Sequence, residues 1–397
     1  MSGREPILIV GGGLGGLTAA LALARRGRPS RVLEGAPQFG AIGYGIQFGP
    51  NVFHVFDRLG LMEQILAVSD APPAVSMFDA LTGHEIIRVQ TGASFRARFK
   101  YPYIVVHRID LHNVLLDACR ANNAIELLSD AMVNAYEDRG ERVVVTTADG
   151  RSFSGEALVA ADGFRSLFRE SLIGDGDPRL SGYAAFRTIV PMAKVGADVP
   201  RTQVVLWGGP GCHIVQYPLR HGTEFNIVAV FRTSTHAEKG DTESYRAELE
   251  QTYRDTHPTM RQLIGLLDLQ WRRPVADRDP IRHWHKGRVV LLGDAAHAPL
   301  QSLAQGAAMA IEDGLCLGEA IHAAKGDYSA AFGNFETARL LRTARLQLES
   351  RSLWQFYHCG GIERDVRNAT VAAWDEAHLF NCLSWLYDGA IIPGSGS

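Results

Sequence analysis

"PILIVGGGLGGLTAALALARRGRPSRVLEG" occupies residues 6–35, and the order of its parts decides the fold. Four aliphatic residues, Ile7 to Val10, run into Gly11-x-Gly13-x-x-Gly16. An alanine- and leucine-rich stretch follows to about Arg26, and a second apolar run, Arg31 to Leu33, ends at Glu34. This reads as a buried strand, a tight turn, a helix and a second strand. Gly11 permits the turn, Gly13 lets a pyrophosphate approach the backbone, and Gly16 lets helix and strand pack closely. Leu14 and Gly15 belong to the same turn, whose helix N-terminus faces the phosphates. Glu34 is placed to accept hydrogen bonds from a ribose diol. An acid there disfavours a 2′-phosphate, so the nucleotide is NAD or FAD rather than NADP.

Two further strand ends repeat the design. "EALVAADGFRSLFRE" (156–170) is an apolar strand closed by Asp162-Gly163, with Ser166 and Arg169 one helical turn apart after it. "RVVLLGDAAHAPLQSLAQGAAMAIED" (288–313) is a strand, then Gly293 and Asp294, a turn of small residues, and a helix from about Ala307. Before them "VVHRIDLHNVLLDACR" (105–120) gives a strand end and an amphipathic helix, with Arg108 at its start. An arginine there can clamp a phosphate with two hydrogen bonds, or simply pair with Asp110. Three strand ends meeting one site suit a long dinucleotide. No second complete GxGxxG exists, since "WGGPGCH" (207–213) and "IGDGDP" (173–178) lack the spacing and the helix. That argues against the two-nucleotide-domain plan of disulfide reductases.

The totals bound the remaining classes. The 397 residues carry 40 basic and 43 acidic side chains, a net charge of −3, so there is no basic field for nucleic acid. Five cysteines without CxxC spacing argue against a disulfide framework or a zinc site, and no metal is expected. "HWH" (283–285) has no ligand-spaced partner and reads as surface loop. No apolar run reaches the ~18–20 residues of a membrane span, and the first apolar run lacks a basic leader and cleavage site. A soluble cytoplasmic protein is expected.

Residues 182–230 change character: "GYAAFRTIVP", "TQVVLWGGPGCHIVQYPLR" and "EFNIVAVFR" alternate apolar and polar residues between glycine turns, as an antiparallel sheet does. Residues 72–104 are expected to add strands to it, and 241–270 to be helical. In "CHIVQYPLR", His213, Val215 and Tyr217 share one strand face, with Cys212 on the other. From Gly314 onward the chain reads helical, with Trp354, Trp374 and Trp385 in its last stretch. That tail is expected to be a dimer surface or a cover over the nucleotide domain.

Together the GxGxxG with its distal Glu34, HRIDLH (107–112), the Asp162-Gly163 motif and GDAAH with AIED resemble the single-component FAD-dependent aromatic hydroxylases, over residues 7–313. The fold this implies is α/β: a Rossmann-like FAD-binding domain (1–71, 102–180 and 281–325), an antiparallel β-sheet substrate domain (72–101 and 181–280) and a C-terminal helical region (326–397). The resemblance implies that the first turn takes the ADP half of FAD and the second the flavin half. By it Gln47 and Arg108 join the cofactor site, Asp162 organises flavin and nicotinamide contacts, Asp294 holds ribityl or ribose hydroxyls, and backbone N–H groups near Gly306 face the isoalloxazine. His297 is expected to be structural.

Gln301 departs from the proline usual at its place in salicylate and 4-hydroxybenzoate hydroxylases, and Ala304 stands where glycine is usual. With "CHIVQYPLR", "SGYAAFR" and "LSWLYDG", these departures resemble the 3-hydroxybenzoate 6-hydroxylases. The activity implied is conversion of 3-hydroxybenzoate to 2,5-dihydroxybenzoate (gentisate) with NADH and O2, through a flavin C4a-hydroperoxide, by a homodimer. Alternatives are another substituted benzoate, such as salicylate or 3-aminobenzoate, or a non-catalytic FAD-binding redox protein. A flavin halogenase is disfavoured by the lack of a WxWxIP stretch. In this reading His213, with an ordinary pKa near 6.5, takes the phenol proton, Gln301 orients the hydroxyl, and Tyr217 holds the carboxylate or hydroxyl.

Overall fold

The computed structural model describes residues 5–40, 43–234 and 241–389. The parts of the expected domains at 1–4, 41–42, 235–240 and 390–397 lie outside them. The quoted stretch folds as read: strand Ile7–Val10, helix Leu14–Arg25 and strand Ser30–Leu33. These strands join Leu158–Ala160, Val289–Leu291 and Ile125–Leu128 in a parallel sheet, to which His285–Lys286 adds one antiparallel edge. Strands covered on both faces are continuously apolar, and Ile7–Val10 is wholly buried.

Two helices cover one end of this sheet and fix its geometry. Helix Gly306–Ala323 (the cavity helix) packs directly on the first helix, Leu14–Arg25. The approach depends on missing side chains. A Cβ at Gly318 would lie 2.7 Å from Ala22 Cβ, and one at Gly314 would lie 2.7 Å from the Ala19 nitrogen. On its other side the cavity helix is held by Arg339 of the long helix Tyr328–His358. Fully buried, Arg339 bonds Glu312 Oε2 and Asp313 Oδ1 at 2.6 Å each. Burial alone would raise the Asp313 pKa, but His297 and Arg339 outweigh it and hold the group at about 2.

The second sheet has seven strands in the order Arg273–Asp277, Arg179–Pro191, Glu224–Arg232, Cys212–Leu219, Val204–Gly209, Ala74–Asp79 and Glu85–Gln90. It is antiparallel except where Val204–Gly209 meets Ala74–Asp79, a parallel pair. The purely antiparallel expectation fails there because 74–90 is a separate hairpin that arrives from the nucleotide-binding part of the chain. Residues 72–104 also contribute a helix, Ala93–Phe99, and 241–270 form two short helices, Thr242–Thr252 and Pro258–Ile264. A three-stranded antiparallel layer at Val133–Asp138, Val143–Thr147 and Ser152–Gly155 went unread in the sequence. Among the described residues no helix is long and apolar enough to cross a membrane.

The tail covers rather than dangles. Arg342 of the long helix donates to the carbonyls of Trp385 and Leu386, which clamps the last helix, Glu376–Tyr387, against the body. Replacing Gly318 by Val overfills the helix contact and is expected to cost about 1–3 kcal/mol of stability. Thermal unfolding should show a lowered Tm and weaker retention of bound cofactor; an unchanged Tm would mean the helices can separate freely.

Candidate active site

A cavity of about 530 Å³ lies between the two helix N-termini and the inner face of the second sheet. Neither helix has a side-chain cap: Gly13 precedes the first and Gln305 the cavity helix. Their first-turn N–H groups therefore lack intrahelical partners and are available to electron-rich ligand atoms. Gly13, Leu14 and Gly15 line one end, and Gln305, Gly306 and Ala307 line the wall beside it. The three motif glycines differ as the chemistry requires. Gly11 has φ +111°, and a Cβ there would meet the Ala161 oxygen at 2.2 Å. At Gly16 a Cβ would strike the Gly11 oxygen at 2.0 Å, whereas Gly13 faces open space.

The expected cofactor residues line this cavity or lie behind its wall. Glu34, at the tip of the second strand, accepts from the Gly12 and Ala36 N–H groups at 2.8 and 2.9 Å. Gln47, Arg108 and Asp294 line the cavity. The alternative pairing of Arg108 with Asp110 does not occur, because Asp110 is bound by both arms of Arg220 at 2.9 Å. Asp162 accepts from the Leu167 N–H at 2.9 Å while its Oδ1 is buried without a partner, next to cavity-lining Ala161 and Gly163. Burial raises the pKa of Asp162 and of Asp294 alike. An orphaned carboxylate oxygen, open space at Gly13 and two uncapped helix ends fit a dinucleotide that supplies hydroxyls and phosphates to these groups. Gly11, Gly16, Glu34 and Asp162 shape this end from behind the cavity wall.

The three residues singled out for the reaction line the same cavity. His213, Val215 and Tyr217 project from one strand, and Gln301 from a short 3₁₀ turn after GDAAH; all four line the cavity. Cys212 is packed in a separate apolar cluster on the opposite face. Ala304 closes the turn in the left-handed region at φ +53°, the conformation that favours glycine at that place. His297 is structural: its Nε2 lies 2.6 Å from Asp313 Oδ2, away from the cavity. Of "HWH", His283 is exposed and His285 meets Glu336 at 3.0 Å, but Trp284 is core.

Two residues with obvious chemistry were missed. Arg187 comes from "SGYAAFR" and faces the cavity in register with Val228 and Val215. Its side chain donates to Gln301 Oε1, and among the described residues no carboxylate pairs with it. Strand alternation could have found it, since Tyr183, Ala185, Arg187 and Ile189 share a face. An arginine can only donate, so the Gln301 oxygen is committed to it and the Gln301 amide N–H₂ is left to the cavity. The second is His358, whose Nε2 lies 2.7 Å from His213 Nδ1. No local signal marks it, 145 residues from His213. It also corrects the reading of His213 as an ordinary histidine: burial, and then His358, push its pKa well below 6.5.

Comparison with known proteins gives this geometry a family. A model described as "FAD binding domain" matches residues 4–331. Over 382 residues the chain is 41% identical to 3-hydroxybenzoate 6-hydroxylase of Polaromonas naphthalenivorans (strain CJ2), covering 96% of this chain and 95% of that protein. It is 38% identical over 381 residues to the protein of the same name from Klebsiella oxytoca, with 96% of each covered. Among solved structures, Klebsiella pneumoniae HpxO complexed with FAD and uric acid matches with a TM-score of 0.85 at 25% identity, over 98% of both chains. The chain thus belongs to the FAD-binding-domain family, as a flavoprotein aromatic hydroxylase.

Proposed function

We propose that this hydroxylase converts 3-hydroxybenzoate to 2,5-dihydroxybenzoate, using NADH and O2. The observation that carries the reading is that His213 and Gln301, from different elements, both line the cavity that the two uncapped helix ends also line. The relatives at 38–41% identity bear the matching name. Gly11, Gly13, Leu14, Gly15, Gly16, Glu34, Gln47, Arg108, Asp162, Asp294 and Gly306 hold FAD, which, reduced by NADH, supplies an electrophilic oxygen atom from O2.

The chain's own part is to raise the electron density of the ring. A phenol attacks through its para carbon far better once deprotonated, and His213 Nε2 is the base. Transfer from a phenol (pKa ~10) to an imidazole (pKa ~6.5) costs about 5 kcal/mol, and burial of His213 adds to that. Contact between the resulting phenolate and imidazolium returns about 5 kcal/mol at ~3 Å and an effective dielectric near 20. The balance is then set by the groups around the oxygen. The Gln301 N–H₂ donates to it, and the positive charge of Arg187 favours both phenolate and carboxylate. Burial lowers the Arg187 pKa, yet arginine stays charged, and an anionic ligand is the partner it lacks. Tyr217, whose pKa burial raises, stays a neutral donor for the carboxylate.

A homodimer is proposed as well: Leu341 and Leu348 on the long helix, and Ile362 and Val366 on the next, are large apolar side chains left exposed. A cytoplasmic location, where NADH is supplied, is part of the same proposal.

FAD-loaded protein given NADH, oxygen and 3-hydroxybenzoate should form 2,5-dihydroxybenzoate one-for-one with NADH, and do so faster than it turns over salicylate or 3-aminobenzoate. Hydrogen peroxide as the sole product would overturn the substrate assignment. His213→Ala should keep FAD and lose about 10²–10⁴-fold in kcat for hydroxylation. Arg187→Gln should raise KM for the acid by about 10–100-fold, the loss of a charge-assisted contact of about 1.5–3 kcal/mol; an unchanged KM would remove Arg187 from the substrate site. Light scattering on a sizing column should give twice the mass of one chain, and a monomer would refute the dimer.

A further inference from the structure

His358 ends the long helix with its imidazole buried between Tyr183, stacked on it at 4.5 Å, and Trp354, which meets both histidine rings edge-on. No carboxylate pairs with either histidine among the described residues. Two neutral imidazoles with Nδ1 and Nε2 2.7 Å apart share a single proton, so only two arrangements exist. In one, His213 Nδ1–H donates to a bare His358 Nε2, the His358 proton sits on Nδ1, and His213 Nε2 turns a lone pair to the cavity. In the other, His358 Nε2–H donates to His213, whose Nε2 then carries a proton and cannot act as a base.

The surroundings choose between them. The Trp354 carbonyl, one helical turn before His358, favours a proton on that ring, and with Nε2 facing His213 the proton belongs on Nδ1. Nδ1 closes no full hydrogen bond among the described residues, so the Trp354 carbonyl, which can only accept, is the neighbour that decides, and it favours a proton there. We propose that His358 is a positioning residue: by accepting from Nδ1–H it holds His213 in the tautomer whose Nε2 can take the substrate's hydroxyl proton. This rests on the reading of His213 as the base.

The step balances. The phenol O–H bond breaks, an Nε2–H bond forms, the electron pair stays on the substrate oxygen, and the positive charge appears on His213. The Nδ1–H bond to His358 then becomes charge-assisted and stronger. Arg232, whose charge lowers the basicity of His358, keeps that second proton on His213 instead of letting it pass outward.

The test compares FAD-loaded His358→Leu, His358→Gln and His358→Asn with the parent and His213→Ala. Readouts are the near-ultraviolet difference spectrum of bound phenolate and the separate kcat and KM for hydroxylation of 3-hydroxybenzoate. Leucine removes the acceptor and should abolish the phenolate signal and cut kcat about 10–100-fold, with KM little changed, the scale typical of lost supporting hydrogen bonds. Glutamine reaches the place of Nε2 and should restore most of both; asparagine reaches only the place of Nδ1 and should not. Full phenolate signal and kcat in His358→Leu would overturn the proposal, as would equal impairment of the glutamine and asparagine variants. If the leucine variant fails to retain FAD, the glutamine–asparagine contrast decides alone. Should His213→Ala itself keep signal and kcat, the base assignment fails; should only the His358 variants be indifferent, this inference fails and that assignment stands.

Discussion

The contact between the first helix and the cavity helix is the constraint on which the rest depends. Glycines at 314 and 318 let the two backbones approach until a methyl group would clash. Parallel packing at that distance brings two uncapped N-termini to one rim. A helix end concentrates about half a positive charge in its free N–H groups, and two ends facing one cavity make a cradle for a long, anionic, electron-rich ligand. Glu312 and Asp313 on the same helix are neutralised by Arg339 and Arg342 behind it, with His297 in contact with Asp313, so that their charge does not compete at the rim. Asn51 ties Glu312 to Gln305, the residue before the helix begins.

The opposite wall works by another rule. The inner sheet face presents a few polar groups in apolar surroundings, where each hydrogen bond is electrostatically stronger and each unpaired group costlier than in water. Arg187 and His358 both act by fixing a neighbour: one commits the Gln301 oxygen, the other occupies His213 Nδ1. With His213 in the proposed tautomer, what remains directed at the cavity is an amide donor and an imidazole lone pair. That is the complement of a hydroxyl that must give up its proton and keep its electrons. The last helix closes this end with Leu383, Leu386 and Tyr387, which keeps bulk water from screening the charges that develop.

The nucleotide half was legible because its signals are local. Gly11, Gly13 and Gly16 with Glu34 lie within one strand–turn–helix–strand unit, with close packing at Gly11 and Gly16 and open space at Gly13 as their spacing implies. His213, Val215 and Tyr217 were legible from alternation alone. Arg187 obeys the same alternation and was overlooked among the apolar residues of its strand. His358 could not be read, since nothing near it in sequence says that the end of a helix returns to a strand 145 residues earlier. The parallel pairing of Val204–Gly209 with Ala74–Asp79 was hidden for the same reason. So was the basicity of His213: a single residue type carries an ordinary pKa, and only the three-dimensional surroundings shift it.

A structure of the FAD-loaded protein with 3-hydroxybenzoate bound tests the central claim most directly. The account predicts the substrate hydroxyl within about 2.6–3.2 Å of His213 Nε2 and of the Gln301 amide nitrogen, with the carbon para to it turned toward the flavin. A ring lying the other way, with its carboxylate against His213 and its hydroxyl remote from Gln301, would contradict it.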